Sequence, residues 1–421
     1  MSIAGILSSV PVPDVIRVEQ RFPRPVLDDA ASDLRDRLRA AGVLQTLHPS
    51  QTVAIGVGSR GISQLARLVR TLVEEVRRAG ATPFIVPSMG SHGGATVEGQ
   101  VRILATLGVT EAAVGAPIRA TMQTVEIGRT PSHLPVHLDA YALAADAIIV
   151  INAVKPHVAF RGRYESGLVK MIAIGLGKQQ GAATCHDLGF GYMAENILAM
   201  ARVTLSTATV LAAVGVVANA YGEICHLSVL PGHAIEAEEP ALLERAKSLT
   251  PRLHLDELDV LIVDEIGKDI AGTGFDTNVI GRYHTPYASG GPAIARIAVL
   301  DLTARSHGNA HGIGLADFTT RRAFEKISFE QTYPNSLTST LPATAKIPMV
   351  LENDRLAIQA AIKTSNVLDK RQVRLVRITN TKRLDVIHVA TALLDHVVHH
   401  PDLAAAGEPF GLPFDDAGQL F

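Results

Sequence analysis

The sequence predicts an α/β chain of two domains, each with a mainly parallel sheet and crossover helices. Three observations carry this. Short apolar runs end in turns bearing Gly or Pro: Thr52–Val57, Thr82–Val86 and Ala147–Val154, which is the pattern of buried strands. The first two runs are each followed by a turn and a helical pattern, at Gln64–Ala79 and near Val97–Leu107, the succession that builds parallel sheets. The length, 421 residues with 47% hydrophobic side chains, is enough for two cores.

Taken in order, Val15–Phe22 alternates like an edge strand, and Leu27–Ala41 has helical spacing with mixed charge. After the two strand–turn–helix units, Thr124–Ile127 and Val136–Leu138 read as short strands, and Ala147–Val154 as a buried one. Then come a helix at Ala194–Thr204, a strand at Val210–Ala218, a charged helix at Ile235–Ser248 and a strand at Val260–Val263. The segment Ile266–Gly274 is polar and Gly-rich and reads as a boundary. That gives domains 1–268 and 269–421, with a small ligand expected in the cleft between them. Beyond it, Ile294–Leu300 and Val373–Ile378 are strand-like, Asp354–Lys363 is helical, and Leu384–Leu394 is mixed and apolar. The tail from Pro401 is rich in Pro, Gly and Asp and is expected to be poorly packed.

Composition removes several classes of function. The 39 basic and 41 acidic side chains nearly cancel, so nothing favours nucleic acid or an anionic membrane as partner. Two cysteines, Cys185 and Cys225, make neither a disulfide framework nor a zinc ribbon. The first twenty residues lack a basic n-region. The uncharged stretch Val203–Gly222 is broken by Thr, Ser and Asn and is too short in its apolar part to span a bilayer. A soluble cytoplasmic protein is expected, with its oligomeric state, a homo-oligomer included, left open.

Familiar motifs fail. Gly175-Leu176-Gly177-Lys178 is not followed by Ser or Thr and lacks Walker spacing. Ser59 has no nucleophile elbow around it, and the turn after Val86 is no dinucleotide fingerprint. What remains is a set of chemical side chains at strand ends, where α/β folds place their sites. Arg60 follows Thr52–Val57, His92 follows Thr82–Val86, and Pro156-His157 follows Ala147–Val154. Lys170 and His186 then interrupt an apolar, Gly-rich segment. Singly, each has an ordinary reading: a turn histidine, a snorkelling lysine, a buried Cys-His pair. Together they offer an arginine fork for a carboxylate, two imidazoles for proton transfer on opposite faces of a carbon, and a histidine able to ligate a borderline metal.

At these residues the sequence resembles the nickel-pincer lactate racemase family of α-hydroxy-acid racemases and epimerases. The features that carry the resemblance are Pro156-His157, Ser166-Gly167-Leu168-Val169-Lys170, His186, the turns Gly58-Ser59-Arg60 and Gly90-Ser91-His92, and Asp276-Thr277-Asn278. The resemblance implies a pyridinium-3-thioamide-5-thiocarboxylic acid mononucleotide carrying nickel and tethered to Lys170, with Ser166, Gly167 and Asn278 beside it. It implies that His186 ligates the nickel and that His92 and His157 are the acid–base pair. Arg60 would bind the substrate carboxylate, and the cofactor would take and return the α-hydride. Partners would be a small α-hydroxy acid and cofactor-maturation enzymes.

The chain departs from lactate-type members at Val57, where they carry Asp, and at Gly281 and His284, where they carry Gln and Lys. Gly281 reads as added space, and Arg282, Tyr283 and His284 as contacts for a substrate larger than lactate. Two other classes stay open at this stage: a metal-dependent hydrolase or lyase using the histidines directly, and a non-catalytic binding protein.

Overall fold

The computed structural model describes residues 2–59 and 62–421, so Arg60 lies outside the described residues. Two compact units emerge. One is Arg24–Thr250 with Thr338–Thr340; the other joins the residues up to Pro23 with Pro251–Leu337 and Leu341–Phe421. Strand β1 (Val15–Gln20) opens the discontinuous unit. The position expected for a domain break, 268/269, falls inside that unit.

The contiguous unit has a five-stranded sheet and a two-stranded hairpin. The sheet strands are β2 (Thr52–Val57), β3 (Thr82–Pro87), β6 (Ala147–Ala153), β7 (Val210–Ala218) and β8 (Ile224–Pro231). The hairpin is β4 (Thr124–Arg129) with β5 (Pro135–Asp139). The sheet order is β3-β2-β6-β7-β8. The first four strands are parallel, and β8 closes antiparallel on β7. The helix Leu65–Arg78 shows why the order forms. Its apolar residues at 65, 68, 69, 72, 73 and 76 make one stripe, and all six are buried. At about 1.5–3 kcal/mol for each fully buried large side chain, that stripe outweighs the exposed charge of its other face. Arg77 and Arg78 in the last turn suit the negative end of the helix dipole.

The discontinuous unit has an eight-stranded mixed sheet. Its further strands are β9 (Glu257–Ile266), β10 (Ala293–Leu302), β11 (Phe318–Thr320), β12 (Met349–Leu351), β13 (Leu375–Ile378), β14 (Val386–Ala390) and β15 (Leu403–Phe410). The order is β12-β11-β10-β9-β13-β14-β1-β15. Strands β9 to β13 run parallel, while β14, β1 and β15 alternate. Both faces of the sheet are covered. Leu261 and Val263 of β9, with Ile297 and Val299 of β10, enter one core. Val260, Ile262, Ala298 and Leu300 enter the other. This period-two division explains why the strands read as continuous apolar runs.

Two expectations are corrected here. Strand β1 is not an edge strand, because β14 and β15 flank it on both sides. Its alternation comes from partly exposed Arg17 and exposed Glu19, not from a free edge. The tail is not loose: Leu403–Phe410 is β15, the edge strand itself, and Leu412 is buried farther on. Among the described residues no helix is long and apolar enough to cross a membrane.

Removing residues 401–421 should therefore unfold the discontinuous unit rather than trim it. Loss of Leu403 and Leu412 alone costs roughly 2–5 kcal/mol each, and β1 loses a whole ladder. Differential scanning calorimetry of the truncated chain should show that unit's transition abolished or lowered by more than about 10 °C; an unchanged profile would contradict this assignment.

Candidate active site

The site is built at the carboxyl ends of β2, β3 and β6, neighbours in the order β3-β2-β6. Val57 stands opposite Pro87 on one side and Ile151 on the other, so three loops leave the sheet at one level. Ser59 follows β2, and its hydroxyl lies 2.6 Å from Nδ1 of His92 in the turn after β3. The amide of buried Gln100 donates to the carbonyls of Gly90 (2.8 Å) and His92 (3.3 Å), holding that turn. Thr96 then caps the helix Val97–Thr106 by accepting from Gly99 N–H at 3.0 Å, a contribution of about 1 kcal/mol.

After β6 the chain makes a closed excursion. Lys155 and Ser166 bridge at its base, with Lys155 N–H donating to Ser166 O at 2.8 Å. Inside it, buried Glu165 accepts the His157 N–H at 2.7 Å, and Arg161 donates to the His157 carbonyl at 2.6 Å. Arg161 is thus a brace for His157. The His157 ring lies 4.3 Å from that of Phe160, and Phe190 lies near both His157 and His186.

The lysine segment needs help from outside itself. Leu168–Lys170 is one helical turn that runs into a π turn at Met171–Gly175, a departure from α geometry that recurs at functional sites. Gly167 precedes it and has no side chain with which to cap it. Glu239 supplies the cap from a distant helix, accepting Leu168 N–H at 2.9 Å and Val169 N–H at 2.7 Å. A Cβ on Gly167 would come within 1.9 Å of that carboxylate, so the glycine makes room for it. Asn152 donates to Gly167 O at 2.9 Å. On the far side, Gly90 N–H donates to Gly175 O at 3.2 Å, and a Cβ on Gly175 would meet Ser88 O at 2.7 Å. The His92 turn is thereby packed on the lysine turn.

Nζ of Lys170 lies 2.7 Å from Nε2 of His157. Nδ1 of His157 accepts Ala159 N–H at 3.1 Å, so a neutral ring carries its proton on Nε2, beside the Lys170 amine. Burial first, then the charge of Lys170, holds the His157 pKa well below the usual histidine range. His186 is fixed the other way round: its Nδ1–H donates to Ala182 O at 2.6 Å, which leaves Nε2 as the lone pair. Burial lowers its pKa to about 4, against the opposing Ala182 bond and with help from Lys170. A neutral ring with its far nitrogen bonded to a carbonyl is the form that binds metal. Among the described residues no three His, Cys, Asp or Glu donors converge on one point here. A metal at His186 thus needs donors the protein does not supply, which suits a cofactor-held ion and disfavours a zinc hydrolase built on His92, His157 and His186.

Asn278, Arg282, Tyr283 and His284 belong to the discontinuous unit. Asp276 caps the short helix Thr277–Ile280, and Asn278 Nδ2 donates to Asp276 at 2.8 Å while its Oδ1 accepts from the Tyr283 hydroxyl at 3.2 Å. Arg282 already donates to Leu315 O, Asp317, Ile294 O and Ala295 O; any substrate contact competes with those four. Gly281 does not provide space: at φ +61° its Cβ would lie 1.8 Å from Pro292 O, so the backbone demands glycine. His284 keeps a buried Nδ1 without a hydrogen-bond partner, and burial lowers its pKa to about 4.

Sequence reasoning missed Ser59 as a partner of His92, and it missed Asn152, Glu239, Lys178 and Asp139. Asn152 had a signal, an amide inside an apolar strand. Lys178 had one too, a cation in a Gly-rich apolar turn. It is fully buried at φ +55°, pairs with buried Asp139 at 3.0 Å, and donates to Pro87 O and to Gln100 (3.2 Å). Burial lowers its pKa although Asp139 opposes the shift. Glu239 had no local signal.

Lys178→Met should destabilise the contiguous unit by about 3–5 kcal/mol, since it strands a buried carboxylate; Lys178→Met with Asp139→Asn should recover part of that, as urea unfolding will show. A recovery of nothing would mean that the two side chains are not coupled. Glu239 gives a pH signature. Burial raises its pKa to about 7 against the two N–H bonds. Between the usual carboxylate range and pH 7 the native state then holds a proton that the unfolded state has lost, so stability falls as pH rises. Relative to Glu239→Gln, the wild-type unfolding free energy should drop by up to about 1.4 kcal/mol per pH unit between pH 5 and 7. A flat difference across that window would refute the shift.

Comparisons with known proteins bear on this geometry. Residues 31–196 match the family model of the lactate racemase N-terminal domain. The solved lactate racemase apoprotein from Thermoanaerobacterium thermosaccharolyticum is similar at a TM-score of 0.54 and 12% identity, over 88% of this chain and 99% of that one. At that identity the likeness is one of fold. No curated protein matches. The matched segment contains His92, His157, Lys170 and His186. The N-terminal-domain match lies within the contiguous unit, which carries the candidate site, and the fold of the whole chain is similar to that of a lactate racemase apoprotein.

Proposed function

We propose that the protein is a racemase or epimerase of an α-hydroxy acid, using a nickel-pincer pyridinium nucleotide attached to Lys170. The observation that carries this is the pairing of two groups in one site: a Lys170 amine held 2.7 Å from His157, and an Nε2 lone pair on His186 set by its bond to Ala182. The first is what acylation of a lysine requires; the second is what a single protein ligand to nickel requires. Lys170 would tether the group and His186 would ligate its metal, with Ser166 and Gly167 as further contacts. When bound, the group supplies reversible acceptance of hydride.

The chain's own residues do the rest. Acylation removes the basicity of Lys170 and releases Nε2 of His157 for the substrate hydroxyl. Burial favours the neutral His157 ring; to take that proton on Nε2 the ring moves its own proton to Nδ1 and gives up the Ala159 N–H bond. His92, positioned by Ser59, would serve the opposite face, and Arg60 would grip the carboxylate. Tyr283 and His284 are the residues we propose to select among hydroxy acids. The altered residues at 281 and 284 were read as favouring a substrate larger than lactate; with Gly281 explained by its backbone, that preference rests on His284 alone.

Chain produced together with cofactor-maturation enzymes should show a covalent mass increase on Lys170, absent from Lys170→Ala. His186→Ala should keep the adduct and lose nickel by metal analysis. His92→Ala and His157→Ala should each slow racemisation by roughly 10²–10⁴-fold, measured as loss of optical rotation on a panel of hydroxy acids. Unmodified protein under those conditions, or full nickel in His186→Ala, would overturn the proposal.

A further inference from the structure

The discontinuous unit contains a second cluster that the proposed reaction does not use. His254 precedes β9, and His400 and Asp402 precede β15. One ligand atom from each lies within 4.8 Å of the others. The surroundings are organised around these donors. The buried side chain of Gln20 accepts the His254 N–H at 3.0 Å and donates to Leu384 O at 2.6 Å and Arg252 O at 3.4 Å. Nε2 of His254 lies 3.1 Å from Arg21 O, and Nδ1 has no hydrogen-bond partner among the described residues. Arg21 N–H in turn donates to Asp402 O at 2.8 Å, and His396 Nε2–H to His254 O at 2.8 Å. The backbones that carry the donors are thus cross-braced before any ion arrives. The rings stack, with Phe22 to His254 at 5.2 Å and His254 to His400 at 4.9 Å.

We propose that His254, His400 and Asp402 form a zinc site that clamps the loop before β9 to the turn before β15, with water completing the tetrahedron. Two imidazoles and a carboxylate are donors zinc accepts at about 2.0–2.2 Å. Magnesium and calcium prefer all-oxygen sets. A proton on Nε2 donated to Arg21 O leaves Nδ1 of His254 as the lone pair and supplies the carbonyl partner that orients ligating histidines. Burial lowers the His254 pKa, with the Arg21 bond opposing and His400 reinforcing the shift. His400 and Asp402 are half-exposed, so their side chains are free to rotate the last distance onto the ion. His400 Nδ1 accepts Asp402 N–H at 3.1 Å; rearranging that bond is the main cost of binding.

The test uses the full chain stripped with a chelator and titrated with zinc chloride by calorimetry, alongside folding checks by circular dichroism. Because the proposed function makes His186 a metal ligand, the titration is repeated in His186→Ala, which should retain one zinc. Placed in that background, His400→Gln and Asp402→Asn should each weaken the remaining site by roughly 10–100-fold or more, and zinc should no longer raise the melting temperature. The cobalt-loaded His186→Ala chain should show the intense visible bands of a tetrahedral ion. The proposal fails if His186→Ala binds no zinc, or if its isotherm is unchanged by both further substitutions.

Discussion

The candidate active site depends on one buried charge pair. Lys178 and Asp139 are both out of contact with water, and neither is tolerable alone. The pair fixes where the end of β5 meets the end of β3, because the same ammonium also holds Pro87 O and Gln100. Gln100 then holds the His92 turn, and that turn packs on the lysine turn through Gly90 and Gly175. A left-handed backbone at a lysine costs about 1–3 kcal/mol. The chain retains it because three acceptors around one ammonium offset it.

Electrostatically the site is arranged for neutral imidazoles next to an amine. His157 and His186 are desolvated, and each feels Lys170, so protonation of either is opposed twice. Their tautomers are set in opposite senses by one backbone bond each: Ala159 donates to the first, Ala182 accepts from the second. Identical side chains beside one lysine therefore differ in chemistry: in the neutral form the first carries its proton on Nε2 and the second its lone pair there.

Much of this was legible in the sequence. Strand–turn–helix repetition gave the parallel sheet, strand-end position singled out His92 and His157, and Lys170 stood out as a cation interrupting an apolar, Gly-rich segment. The Asp276 cap is local, and it was seen as D-x-N. What could not be read was mostly long-range. Glu239 caps a turn 70 residues before it, and nothing near position 239 announces that. Gly281 looked like a deletion of bulk because composition reports a missing side chain but not the φ angle that excludes one. The alternation of β1 was right, but its place in the sheet was not, since its partners are β14 and β15. The tail was misjudged for the same reason: Pro, Gly and Asp mark exposed backbone, and an edge strand is exposed backbone on one side.

The discontinuity of the second unit has a consequence for biosynthesis. Val15 pairs with Ala390, and at translation rates of about 5–20 residues per second that partner emerges roughly 20–75 s later. Throughout that interval β1 is an unpaired strand carrying Val15, Ile16 and Val18, all destined for burial. The Arg24–Thr250 unit is contiguous and needs only its own residues for its sheet, so it can fold while the ribosome is still working. On a nascent chain, Lys170 and its neighbouring histidines are thus in place well before the strand at the start of the chain finds its neighbours. Chaperone demand falls on that exposed segment, not on the chemical centre.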